Sequence, residues 1–171
     1  MPCTTYDIFF CKNRNKGEVV EIGELWPVFL LFQRDKNMST HPTILLVDDD
    51  PEDQEIFSMI LEQITAKVRF LCSDNGVNAL KLLTAEQDLN PEIIFMDMNM
   101  PLMDGMQCLA EMRKTLKLKE IPIYMYSTSA QDSIVTECKR LGANGFLKKV
   151  ANLSDFENSL KAILGSHLTA I

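Results

Sequence analysis

From Thr43 onward, apolar residues fall into two alternating patterns. Short β-prone runs stand at Ile44-Leu45-Leu46-Val47, Val68-Arg69-Phe70-Leu71, Ile93-Ile94-Phe95-Met96, Ile121 to Tyr126 and Gly145-Phe146-Leu147. Between and after them, apolar positions recur at helical spacing: Ile56, Phe57, Ile60, Leu61 and Ile64; Val77, Leu80 and Leu83; Met106, Leu109, Met112 and Leu116; Ile134, Cys138 and Leu141; Phe156, Leu160, Ile163 and Leu164. Short apolar runs bounded by turn residues predict buried parallel strands, and the stripes between them predict amphipathic helices. Five β-then-α repeats in about 130 residues predict an α/β fold: a doubly wound, five-stranded parallel sheet with right-handed crossovers and helices on both faces.

The first 41 residues break this rhythm. Ile8-Phe9-Phe10 and Val19-Val20-Glu21-Ile22 flank the polar Lys12 to Gly17 in a hairpin-like pattern, which Trp26-Pro27 ends. Met38 stands just before Ser39-Thr40-His41-Pro42 and the first confident strand. Residues 1–41 are therefore read as an N-terminal extension, either a true appendage or the product of a misplaced start codon with Met38 as the alternative. The second reading is preferred, and the domain proper is set at 42–171.

Charge sharpens the division. Residues 1–41 carry five basic and five acidic side chains, so the net charge of -7 lies entirely in 42–171. An acidic domain without a Lys/Arg cluster argues against binding nucleic acid or an anionic membrane. No run is long and apolar enough to span a bilayer, and no signal peptide opens the chain. Five cysteines, Cys3, Cys11, Cys72, Cys108 and Cys138, are odd in number and form no CxxC pair, as expected of a reducing cytoplasm. Cys72 and Cys108 fall on apolar positions and are expected to be buried and inert. His41 and His167 have no metal-spaced partner and are expected in solvent. The methionines around residue 97 are read as gap-filling core.

Candidate chemistry collects at the ends of the strands. In open α/β sheets the carboxyl ends of the strands border the ligand crevice. The third run delivers Asp97 there and stops at Pro101. The first ends in Asp48-Asp49-Asp50, followed by Pro51, which suits the first turn of a helix. An N-cap and acidic first turn would account for one or two of these aspartates, not three. An oxygen-only, carboxylate-rich site suits Mg²⁺. The fourth run ends in Ser127-Thr128-Ser129, for which a helix N-cap before Ala130 is the plainer reading, and the fifth is followed by Lys148-Lys149, an ordinary solvated pair when taken alone.

Taken together, the order of acidic pair, aspartate, hydroxyl and lysine at successive strand ends resembles the receiver domain of bacterial two-component response regulators, over residues 43 to 168. The resemblance implies a flavodoxin-like strand order 2-1-3-4-5. It implies that Asp97, in Met96-Asp97-Met98-Asn99-Met100-Pro101-Leu102-Met103-Asp104-Gly105, is the phosphoacceptor, and that Asp48 and Asp49 are the acidic pair. Ser127 matches the switch hydroxyl, Phe146 the switch aromatic and Lys149 the lysine that contacts the phosphoryl group; Asp50 lies outside the pattern and begins the helix.

On this resemblance, Asp97 would take a phosphoryl group from a partner histidine kinase or phosphotransfer protein. Mg²⁺ would be held by Asp49 and Asp97 directly, by the Asn99 carbonyl, and by Asp48 through water. Lys149 would serve one phosphoryl oxygen, and the Ser127 hydroxyl with the Thr128 backbone N–H another. Movement of Ser127, with Phe146 filling its place, would reshape the surface of helix four, strand five and helix five for an unknown downstream protein. Such a chain is a cytoplasmic signalling phosphoacceptor and not a metabolic enzyme. With no output segment after helix five, it is expected to stand alone. A relay intermediate that passes the group to a phosphotransfer histidine is the alternative. More remote are a metal-dependent aspartyl phosphatase, which expects a DxD after the first strand, and a flavin module, which expects a phosphate loop there. One departure stands out: Val150 follows Lys149 where the family usually has a proline, which leaves the aim of the lysine less assured.

Overall fold

The computed structural model describes residues 41–86, 88–129, 131–149 and 152–168. The hairpin pattern, Met38 and Val150 lie outside these residues. Among the described residues, ten elements alternate strictly: β1 Thr43–Val47, α1 Pro51–Ile64, β2 Arg69–Ser73, α2 Gly76–Ala85, β3 Ile93–Asp97, α3 Gly105–Lys114, β4 Ile123–Ser127, α4 Asp132–Arg140, β5 Gly145–Lys148 and α5 Leu153–His167. The strands are all parallel and form one sheet in the order β2-β1-β3-β4-β5, as expected. The chain reverses its direction of travel across the sheet between β1 and β3, and the ends of those two strands frame the crevice.

Because side chains alternate along a strand, each face of the sheet has its own core. Leu45, Val47, Ile94, Met96, Ile123 and Met125 point to one face and pack with residues of α2, α3 and α4, including Leu83, Leu109 and Cys138. Ile44, Leu46, Ile93, Phe95, Tyr126 and Leu147 point to the other and pack with Phe57, Ile60 and Leu61 of α1 and Phe156, Leu160 and Leu164 of α5. Phe57 centres the second core, with ring centroids 5.0 Å from Phe95, 5.6 Å from Phe70 and Tyr126 and 5.8 Å from Phe156. These ring contacts fix the face that α1 turns to the sheet.

Helix starts follow cap chemistry. Asp50 accepts from the Glu52 N–H at 2.9 Å ahead of Pro51, so it begins α1 as expected. Asp104 and Gln107 form a reciprocal capping box at α3. At the opposite end of the sheet, Arg113 ties two loops together. Its Nε donates to the Gly142 carbonyl at 2.9 Å, Nη1 to the carbonyls of Leu118, Lys119 and Ile121, and Nη2 to Asn144 Oδ1 at 3.1 Å.

Several expectations are corrected. Leu116 does not join the α3 stripe: the helix ends at Lys114, Thr115 turns extended, and Leu116 is 82% exposed while Leu118 is buried in its place. In α2 the fully buried positions are Ala79 and Leu83, with Val77 and Leu80 at the margin. β4 begins at Ile123 because the Ile121 N–H turns back to the Leu118 carbonyl and Pro122 has no N–H to give. β2 runs one residue later than the apolar run, in register from Thr43 opposite Arg69. Cys72 is exposed on that edge strand. Cys108 is buried as expected, and burial pushes its thiol up to about 12. His167 is half-buried, with Nε2 3.0 Å from the Tyr124 hydroxyl and its ring edge-on to Tyr124.

Candidate functional site

Four strand ends and one helix start meet at a polar pocket of about 230 Å³. Asp48 leaves β1 as the backbone N–H of Asp48 pairs with the Ser73 carbonyl and its own carbonyl accepts from Gln54 Nε2 at 2.6 Å. The side chain is completely buried, with Oδ1 accepting from the Asp50 N–H at 3.0 Å. Asp49 is exposed beside it. Asp97 closes β3 at 6% exposure, and its Oδ2 accepts from the Asn99 N–H at 2.7 Å, an Asx turn that orients the carboxylate. One oxygen from each of Asp48, Asp49 and Asp97 can be chosen so that all three lie within 4.8 Å of one another.

Lys149 bridges these acids. Its Nζ lies 2.7 Å from Asp48 Oδ2, 2.8 Å from Asp97 Oδ1 and 2.8 Å from Asp53 Oδ2 on α1. The backbone positions it: the Lys149 N–H donates to the Ser127 carbonyl at 2.9 Å, so the lysine continues the β4–β5 ladder one residue beyond Lys148, which faces solvent. The ring of Tyr126 lies 4.7 Å from Nζ, measured to its centroid. Burial works against the charged ammonium, yet the contacts with Asp48, Asp53 and Asp97 outweigh it and hold Lys149 above the ordinary lysine range. Asp48 is displaced in the opposite sense. Burial raises its carboxyl above the usual value even though Lys149 and the Asp50 N–H favour the anion. Burial also raises the Tyr126 phenol, with the negative charge of Asp53 adding to it.

Ser127 is buried at the end of β4, and its Oγ accepts from the Ser129 N–H at 3.4 Å. The hydroxyls of this stretch do not cap α4. That helix starts at Asp132 behind Gln131, which makes no side-chain cap bond. Ser127, Thr128 and Asn99 share the pocket wall with the aspartates, so the sequence-derived residues converge on one place, with one exception. Phe146 is not in the pocket: it is half-buried on β5 and packs into the core beneath α2, α3 and α4. Asp53 and Tyr126 were not anticipated. The hint for Asp53 was its place four residues after Asp49, where a helix beginning at Pro51 returns a side chain toward the strand ends.

The chemistry available here is that of hard oxygen donors. Asp48 Oδ2 is buried and meets the Lys149 ammonium at 2.7 Å. A buried carboxylate whose oxygen can gather with one from each of two more carboxylates offers a hard donor set that fits a small divalent cation such as Mg²⁺ or Mn²⁺.

Comparison with known proteins decides the family. The model of the response regulator receiver domain matches residues 44–161. The chain belongs to that family. Rice (Oryza sativa subsp. japonica) two-component response regulator ORR5 is 32% identical over 123 residues, which is 72% of this chain and 89% of that protein. Response regulator Rcp1 of Synechocystis sp. is 30% identical over 124 residues, covering 70% and 84%. The crystal structure of the Mn(2+)-bound form of Rcp1 superposes with a TM-score of 0.66 at 28% identity, over 76% of this chain and 96% of that one. The phosphorylated cyanobacterial phytochrome response regulator RcpA gives a TM-score of 0.69 at 29% identity, over 77% and 96%. A receiver domain of a two-component response regulator is a signalling module and not a metabolic enzyme. Among the described residues of this receiver domain, no helix is long and apolar enough to cross a membrane.

Proposed function

We propose that this receiver accepts a phosphoryl group on Asp97 from a histidine kinase or a histidine phosphotransfer protein, and signals through the surface of α4, β5 and α5. One observation carries the reading: the Asp97 carboxylate is held at a strand end between a lysine ammonium at 2.8 Å and two further carboxylates able to share a cation with it. An Asp97 oxygen attacks phosphorus in line, the bond from phosphorus to the donor imidazole nitrogen breaks, and the imidazole leaves with that electron pair.

Asp49 and Asp97 with the Asn99 carbonyl would hold Mg²⁺, with Asp48 reaching it through water. The ion supplies charge neutralisation at the phosphoryl oxygens. Lys149 supplies a point charge to one phosphoryl oxygen, and the Ser127 hydroxyl with the Thr128 N–H serves another. In strand alternation Ser127 shares its face with Met125, and Phe146 packs into that same core, so a shift of Ser127 toward the phosphoryl group opens space that Phe146 can enter. The altered surface is then read by a protein that docks on it.

The test is intact mass of wild type and Asp97→Asn after incubation with Mg²⁺ and acetyl phosphate. A single phosphoryl addition that requires both Mg²⁺ and Asp97 is expected. Equal labelling of the two proteins, or none in wild type, would overturn the assignment.

A further inference from the structure

Lys149 faces more carboxylates than phosphoryl transfer calls for, and they are not equivalent. Asp48 and Asp97 lie at the ends of β1 and β3 and belong, with Asp49, to the group close enough to share one cation. Asp53 stands apart from that group, on α1. Yet its contact with Nζ, 2.8 Å to Oδ2, is a directed hydrogen bond and matches the contacts of Asp48 and Asp97 in length. A divalent cation held by Asp49 and Asp97, and by Asp48 through water, would compete for two of the lysine's three partners and set a dication beside the ammonium. Asp53 is the carboxylate that remains.

We infer that Asp53 is a positioning residue, which keeps the Lys149 ammonium at the pocket when a divalent cation competes for Asp48 and Asp97. This rests on the proposed cation and phosphoacceptor site. The support for Asp53 is rigid. It is the third residue of α1, behind the Asp50 cap and Pro51, and it shares a helix face with Phe57 one turn on, which is 0% exposed within the aromatic core. The Tyr126 ring under Nζ adds a second hold that no cation competes for. An acidic residue in the first turn of a helix is common, because it complements the helix dipole. That explains the residue type at position 53, but not a hydrogen bond to a lysine 96 residues away.

The experiment follows the Lys149 side-chain ammonium by NMR in the full chain, its signal assigned by its loss in Lys149→Arg, with and without saturating Mg²⁺. Mg²⁺ binding is measured in parallel by calorimetry, and backbone amide spectra confirm that each variant is folded. Without Mg²⁺, wild type and Asp53→Asn both show the ordered signal, since Asp48 and Asp97 suffice. With Mg²⁺, wild type keeps it, Asp53→Asn loses it, and Asp53→Glu recovers it. If Asp53→Asn binds Mg²⁺ and still keeps the signal, or wild type binds Mg²⁺ and loses it, the role of Asp53 is overturned while the cation site stands. Absence of Mg²⁺ binding to wild type is the distinct failure of the underlying site, and overturns this inference with it.

Discussion

Gly105 sits so close beneath Asp97 that a Cβ on Gly105 would overlap the main-chain oxygen of Asp97. The Gly105 N–H also donates to the Met98 carbonyl at 3.0 Å, so the start of α3 is pressed onto the turn that carries the phosphoacceptor candidate. Replacing Gly105 by Ala forces backbone to move against backbone. Gly105→Ala is expected to cost about 3 kcal/mol in denaturant unfolding and to weaken Mg²⁺ binding by displacing Asp97. Wild-type stability in that variant would show that the turn is free to yield.

Lys149→Ala leaves a completely buried Asp48 carboxylate facing Asp97 with no cation between them. Removing one member of a buried ion pair typically costs about 3 kcal/mol or more. That loss is expected in EDTA and should largely disappear in Mg²⁺, which can neutralise the same oxygens. The variant should therefore bind Mg²⁺ at least as tightly as wild type while phosphorylation no longer alters the α4, β5 and α5 surface, as read by amide chemical shifts.

The raised carboxyl of Asp48 fixes the sign of a pH effect. A folded value above the ordinary 3.8 means that the folded protein holds this proton more tightly than the unfolded chain. Its contribution to stability is thus present at low pH and lost as pH rises through the folded value. In EDTA, Asp48→Asn should gain stability relative to wild type as pH rises over that window. Mg²⁺ should shrink the difference, because the cation replaces the proton. Thermal unfolding of both proteins across pH, with and without Mg²⁺, measures this directly.

Arg113→Lys tests the far end of the sheet. A single ammonium cannot reach the carbonyls of both loops and Asn144 Oδ1 together. A loss of about 2 kcal/mol is expected, together with faster hydrogen exchange at the Ile123 amide, which donates to Asn144 Oδ1 at 3.0 Å. Phosphorylation of Asp97 should proceed as in wild type.

What the sequence revealed was what is local. Apolar runs of three to six residues, each closed by a polar or proline signal, placed all five strands, and strand ends then gathered Asp48, Asp97, Ser127 and Lys149 without any knowledge of distances. Alternation along β5 turns Lys148 outward and Lys149 inward. The failures share a cause. Leu116 keeps the spacing of a helix that has already ended, and His167 finds its partner in Tyr124, 43 residues earlier. Asp53 reads as an ordinary first-turn acid until the fold sets it against Lys149. Periodicity reports which face a residue occupies, not which distant residue waits there.

The division of the sheet into two separately packed cores has a consequence for how such a module can diversify. By alternation, the acids of β1 and β3 and the Lys149 that answers them lie on the side of α1 and α5, whereas Phe146 is lodged among residues that also pack α3 and α4. Substitutions on α4 that refit that part of the surface to a new listener need not disturb the first layer. Over evolutionary time the chemistry of the message and the shape that announces it can drift at different rates, joined chiefly where Ser127 and Lys149 share a backbone hydrogen bond.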